Sequence, residues 1–99
     1  TPLHLAALNG NGDVVEILIT GTSPNVTDHE KNTPLHYAAQ RGNWDAASRL
    51  LYEGANPDPL NNMDSTPLHF ACQHGHVKVV NELLSAGADP TLKAPASRD

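Results

Sequence analysis

The chain has 99 residues, a net charge of −5 with histidine neutral, and only four aromatic side chains (Tyr37, Trp44, Tyr52 and Phe70). That is one domain's length, too short for a catalytic unit joined to a separate binding unit. Scattered lysines and arginines argue against a phosphate-tracking surface, the single cysteine rules out an internal disulfide, and no apolar run reaches membrane-spanning length.

Thr1-Pro2-Leu3-His4-Leu5-Ala6-Ala7-Leu8-Asn9-Gly10 predicts a two-turn helix. Thr1 caps it through its hydroxyl, Pro2 occupies a position where no N–H is needed, and Gly10 permits the left-handed stop. A second helix follows, marked by Val14-Val15 and Leu18-Ile19, four apart and therefore on one face. Asp13 and Glu16 stand near its start, where negative charge suits the dipole. Gly21 closes it one residue early relative to the later units, so this helix should end early or tighten. Residues 22–32 form a polar connection holding Ser23-Pro24, a candidate phosphorylation site, and the sequon Asn25-Val26-Thr27.

The pattern restarts at Thr33-Pro34-Leu35-His36-Tyr37-Ala38-Ala39-Gln40-Arg41-Gly42. Asn43 and Asp45 open the next helix, Gly54 ends it, and Ala46-Ala47 replace the valine pair. Four missing carbons are worth about 3 kcal/mol of burial, and Trp44 is expected to cover the gap. In the connection 55–65, Pro57 and Pro59 withhold two backbone donors and weaken any strand. The third unit is Thr66-Pro67-Leu68-His69-Phe70-Ala71-Cys72-Gln73-His74-Gly75, then Val79-Val80, Leu83-Leu84 and Gly87. From Leu92 to Asp99 the pattern is lost, which predicts a frayed tail.

The three heads start at residues 1, 33 and 66. TPLH recurring at a period near 33 resembles the ankyrin-repeat family, and the resemblance covers nearly the whole chain. It implies an all-α helical repeat solenoid with β-hairpin-like loops, one domain of repeats 1–32, 33–65 and 66–94 with a frayed tail at 95–99. Because residue 1 already stands at a helix start, sequence upstream is expected. In this family a glycine usually sits two residues before TPLH. Here Lys31 and Asp64 hold that place, so both loops should need another turn or some strain.

No catalytic, cofactor or metal constellation emerges. In the resembling family His4, His36 and His69 bond to the capping threonine and to neighbouring backbone, tying layers together. His69, Cys72, His74 and His76 have metal-like residue types. Yet His69 belongs to the cap, Cys72 replaces a buried alanine, and Gly75-His76 matches the family's turn. The sequon is expected to go unused in an intracellular (cytoplasmic or nuclear) protein.

Surface remains. The resemblance implies a non-catalytic protein-interaction module, monomeric as an isolated chain, with a protein partner rather than nucleic acid or a membrane interior. Carried over position by position, the partner-binding set is Leu8, Asn9, Gln40, Arg41, Gln73 and His74 on the inner helices. The loop tips add His29, Glu30, Asn32, Leu60, Asn62, Met63 and Ser65, with Thr27 beside them. Arg41 and His74 hold equivalent places in adjacent layers and would suit an acidic group. The alternative is a targeting or regulatory segment of a larger enzyme or channel whose active domain lies outside these residues.

Overall fold

A computed structural model of the protein describes residues 1–92; the frayed tail expected beyond Leu92 lies outside the described residues. Six helices form three pairs: α1 (Pro2–Asn9) with α2 (Gly12–Ile19), α3 (Pro34–Arg41) with α4 (Trp44–Tyr52), and α5 (Pro67–Gln73) with α6 (Val77–Ser85). The inner helices stack α1 on α3 on α5, and the outer helices stack α2 on α4 on α6. The result is an all-α repeat solenoid. The core is a thin apolar seam between layers, in which Leu3, Val15, Leu35, Leu50, Val79 and Leu83 are buried among alanines.

Each inner helix starts as the motif dictates. Thr1, Thr33 and Thr66 accept the N–H of the histidine three residues on, and that histidine's ring returns to the cap. Gly10 and Gly42 take left-handed φ values of 81° and 71° and end α1 and α3. These helices are too short to persist alone, so packing between layers holds them.

The first outer helix does both things its missing residue predicts. α2 has eight residues where α4 and α6 have nine. It then tightens, with Thr20, Gly21 and Thr22 N–H groups bonding three residues back to Ile17, Leu18 and Ile19. Gly54 and Gly87 instead adopt φ of 96° and 97° after their helices.

The connections are hairpin-like turns, and no strand occurs among the described residues. Asp28 and Asn61 organise the two complete ones. The Asp28 carboxylate accepts from Glu30 and Asn32 N–H, each at 2.9 Å, and Asn61 Oδ1 accepts from Met63 and Ser65 N–H at 2.9 and 3.0 Å. The turns keep the left-handed residue that glycine would supply: Lys31 has φ 62° and Asp64 φ 58°. Aspartate tolerates that region better than lysine. Lys31→Gly should therefore raise stability by about 0.5–1 kcal/mol in urea unfolding, and Asp64→Gly by less.

Two expectations need correcting and a third extending. Trp44 does not cover the Ala46-Ala47 gap: its ring is exposed on the outer surface, its indole N–H donates to Glu82 Oε1 at 3.0 Å, and the Lys78 ammonium lies 5.8 Å from its centroid. The two alanines are fully buried where α4 packs on α2 and α6. Cys72 is exposed, although its counterparts Ala7 and Ala39 are buried, because those two lie under a following layer. Asp13 and Glu16 do more than suit the helix dipole: both pair with Arg49 of the next layer, at 3.5 and 2.6 Å.

Candidate functional site

The inner face is built on histidines that serve the scaffold. Backbone N–H groups of Thr33 and Thr66 donate to Nδ1 of His36 and His69 at 3.0 and 3.1 Å. That fixes the neutral tautomer carrying its proton on Nε2. His36 Nε2 then donates to the Ser65 carbonyl at 2.8 Å, and His69 Nε2 to the Leu92 carbonyl at 2.9 Å. His4 Nε2 meets the Asn32 carbonyl at 2.8 Å in the same way. Each ring thus locks a connecting loop onto its own inner helix. Burial holds His36 below its ordinary pKa, outweighing the pull of the Ser65 carbonyl.

A second set of ties crosses between layers at the tight turns. Asn43 Nδ2 donates to the carbonyls of Ala7 and Leu8 at 2.9 and 2.8 Å, and His76 Nε2, one layer on, to that of Gln40 at 3.1 Å. A third joins the loops. Asn56 N–H donates to Asn25 Oδ1 at 2.7 Å, Asp89 N–H to the Asp58 carboxylate at 3.1 Å, and Asn61 Nδ2 to Asn32 Oδ1 at 2.8 Å. Asn25 of the sequon is therefore exposed and bonded through its oxygen.

The residues expected to meet a partner lie on the inner helices, at their ends and at the loop tips. Asn9, Gln40, Arg41 and Gln73 are exposed on the inner helices, His74 is exposed at the C-cap of α5, and Leu8 is half-buried. At the loop tips Thr27, His29, Glu30 and Asn62 are exposed, as are Leu60 at 52% and Met63 at 70%. Asn32 is half-buried and bonded to Asn61. Ser65 is a correction: it is buried under the loop, its carbonyl shared by His36 Nε2 and Asn61 N–H and its own N–H given to Asn61 Oδ1, so its backbone is committed and little of its surface is open to a partner. His74 and His76 stack with ring centroids 6.0 Å apart. His76 and His69 are committed to carbonyls, and no group of three or more His, Cys, Asp or Glu among the described residues is placed to hold a metal.

One strip escaped the sequence reading. Leu5, Tyr37 and Phe70 hold the fifth position of each unit, on the same helix face as the residues three and four further on. Leu5 is 58% exposed, while Tyr37 and Phe70 are half-buried. Tyr37 lies edge-on to His4, and Phe70 edge-on to His36, each with centroids 5.5 Å apart. The signal was a large apolar residue recurring three times between a capping histidine and a small pair. The Tyr37 hydroxyl donates to Asp28, which spans the floor from inner helix to loop. Burial pushes Asp28 up, but that hydroxyl and the N–H groups of Asn32 and Glu30 outweigh it and hold the carboxyl below the usual range. The same bond raises Tyr37.

A stack of antiparallel helix pairs with outward loops, each layer bonded to the next at three levels, defines a helical repeat protein with an open inner face. A profile of ankyrin repeats, in three copies, matches residues 3–94, and the chain belongs to the ankyrin-repeat family. Such repeats are generally protein–protein interaction modules and typically non-catalytic. The crystal structure of the human ASB11 ankyrin repeat domain superposes with a TM-score of 0.89 at 33% identity, over 96% of this chain and 45% of that one. Alpha-latrotoxin-Lhe1a of Latrodectus hesperus is 49% identical over 53 residues, which is 52% of this chain and 4% of the toxin. NF-kappa-B inhibitor alpha of Homo sapiens is 42% identical over 43 residues, covering 42% of this chain and 14% of that protein. The chain thus spans a small part of the curated relatives it matches.

Proposed function

We propose that this chain is a non-catalytic interaction module, one domain of repeats 1–32, 33–65 and 66–94, that holds a protein partner against its inner face and loop tips. The observation that carries this is a division of labour. The recurring Thr, Leu, His and Ala positions are mostly buried or bonded into the frame, whereas Asn9, Gln40, Arg41, Gln73, His74, Leu60 and Met63 are exposed. A frame cross-bonded in this way presents those side chains preorganised, which lowers the ordering entropy lost on binding. The exposed thiol of Cys72 suits a reducing, intracellular compartment, and the isolated chain is proposed to be monomeric.

The test is quantitative affinity capture with the wild type and with Arg41→Glu/Met63→Ala/His74→Ala, both verified as folded. Loss of at least one partner with the variant is expected. If every captured protein persists equally, the face is wrongly assigned. The small share of its relatives' length that the chain covers supports a second reading, a targeting or regulatory segment of a larger enzyme or channel. The sequence on either side separates the two.

A further inference from the structure

The chain carries eleven Asp and Glu residues, and none lies in α1, α3 or α5. They lie on the outer helices and in the loops and tail. On the outer side part of that charge is engaged within the fold: Arg49 pairs with Asp13 and Glu16, and the Trp44 indole N–H donates to Glu82. The inner helices therefore form a carboxylate-free strip on an acidic protein. It carries one exposed arginine, Arg41, which makes no ion pair or side-chain hydrogen bond among the described residues.

Arg41 is not needed to finish its own helix. At the end of α3 the carbonyls of Ala38 and Ala39 accept from Gly42 N–H, and that of Gln40 from His76. Across the groove the polarity reverses, because Asp28 is held ionised beside Tyr37 and Glu30 is exposed at the loop tip. Between the two edges runs the apolar strip of Leu5, Tyr37 and Phe70.

We propose that the inner face takes an acidic segment of a partner protein, its carboxylates toward Arg41 and His74 and an apolar side chain on the Leu5–Tyr37–Phe70 strip. This rests on the inner face being the partner surface and adds the partner's chemistry to it. An acidic segment meets no carboxylate on the inner helices, and its charge is directed to the turn edge by the acidic loop edge opposite. A basic segment would meet Arg41 with like charge, which orients and excludes it.

The experiment is selection of a random 15-residue displayed peptide library on the immobilised 99-residue chain, then solution binding of the selected peptides. The expected result is enrichment of Asp and Glu over the unselected pool, with binding weakened about tenfold by Arg41→Glu. Leu5→Ala should also weaken it. Arg41→Gln, which should weaken binding less, stands in if the reversal disturbs the fold by circular dichroism. Selected peptides without acidic enrichment, or acidic ones indifferent to both Arg41 variants, overturn the proposal. If peptides lacking that enrichment still lose binding in Leu5→Ala and Gln40→Ala, the inner face stands as the binding surface and only its charge preference falls. Peptides indifferent to every inner-face variant overturn both readings, and a library that yields no binder overturns the acidic assignment.

Discussion

His36→Ala is expected to cost about 3 kcal/mol in urea unfolding at pH 7.5. The ring is fully buried, and removing it strands the Thr33 N–H, takes from the Ser65 carbonyl one of its two donors and leaves a void. His69→Ala tests the reasoning, because it deletes the same two bonds at a less buried site whose acceptor, Leu92, is exposed. It should cost less than half as much. Equal losses would show that the hydrogen bonds matter regardless of burial. The same residue gives a pH signature. Burial depresses the folded pKa of His36, so the unfolded chain binds the extra proton first as pH falls. The contribution is complete above the unfolded value of about 6.5 and is lost as pH falls through it toward the folded value. Urea midpoints between pH 8 and 5 should show that decline in the wild type and a reduced one in His36→Ala.

Gly42→Ala should be nearly as damaging, at about 3 kcal/mol, and Gly75→Ala should cost only about 1. Both glycines are left-handed, with φ of 71° and 73°, so the backbone strain is alike. They differ in what a methyl group would meet. At Gly75 there is open space, but at Gly42 the methyl would overlap the His76 imidazole and break its bond to the Gln40 carbonyl. Gly10 resembles Gly42, since Asn43 lies 2.8 Å from the added carbon. Thermal unfolding of the two alanine variants would settle the point. Matching midpoints would mean that His76 yields at no cost and that the turn contact ties nothing.

The repeat unit was legible because its determinants are local. A threonine cap, a proline at the first turn, a glycine stop and apolar pairs four apart need only ten or twenty residues of context. What was lost depends on how one layer sits over another. Asn43 reaching Ala7, Arg49 reaching Glu16 and Trp44 reaching Glu82 join residues 33 to 38 apart, and the rotation between layers decides those pairings. Cys72 failed for the same reason, since burial at that position belongs to the neighbouring layer. Ser65 failed because the loop-closing reach of His36, though foreseen in kind, was not assigned an acceptor. The inner-helix positions follow from helix phase alone, yet Tyr37 was passed over because an aromatic ring beside the core reads as core.

The three levels of cross-bonding each reach one layer and no further. The middle pair, α3 and α4, is therefore gripped from both sides and the end pairs from one. Joints in such a column open singly, so backbone amides should exchange with solvent slowest in the middle pair and faster toward both ends. A segment lying along the inner face spans both joints at once. It would act as a splint, slowing exchange in outer helices it never touches, and the stiffening would report occupancy from the opposite side of the molecule.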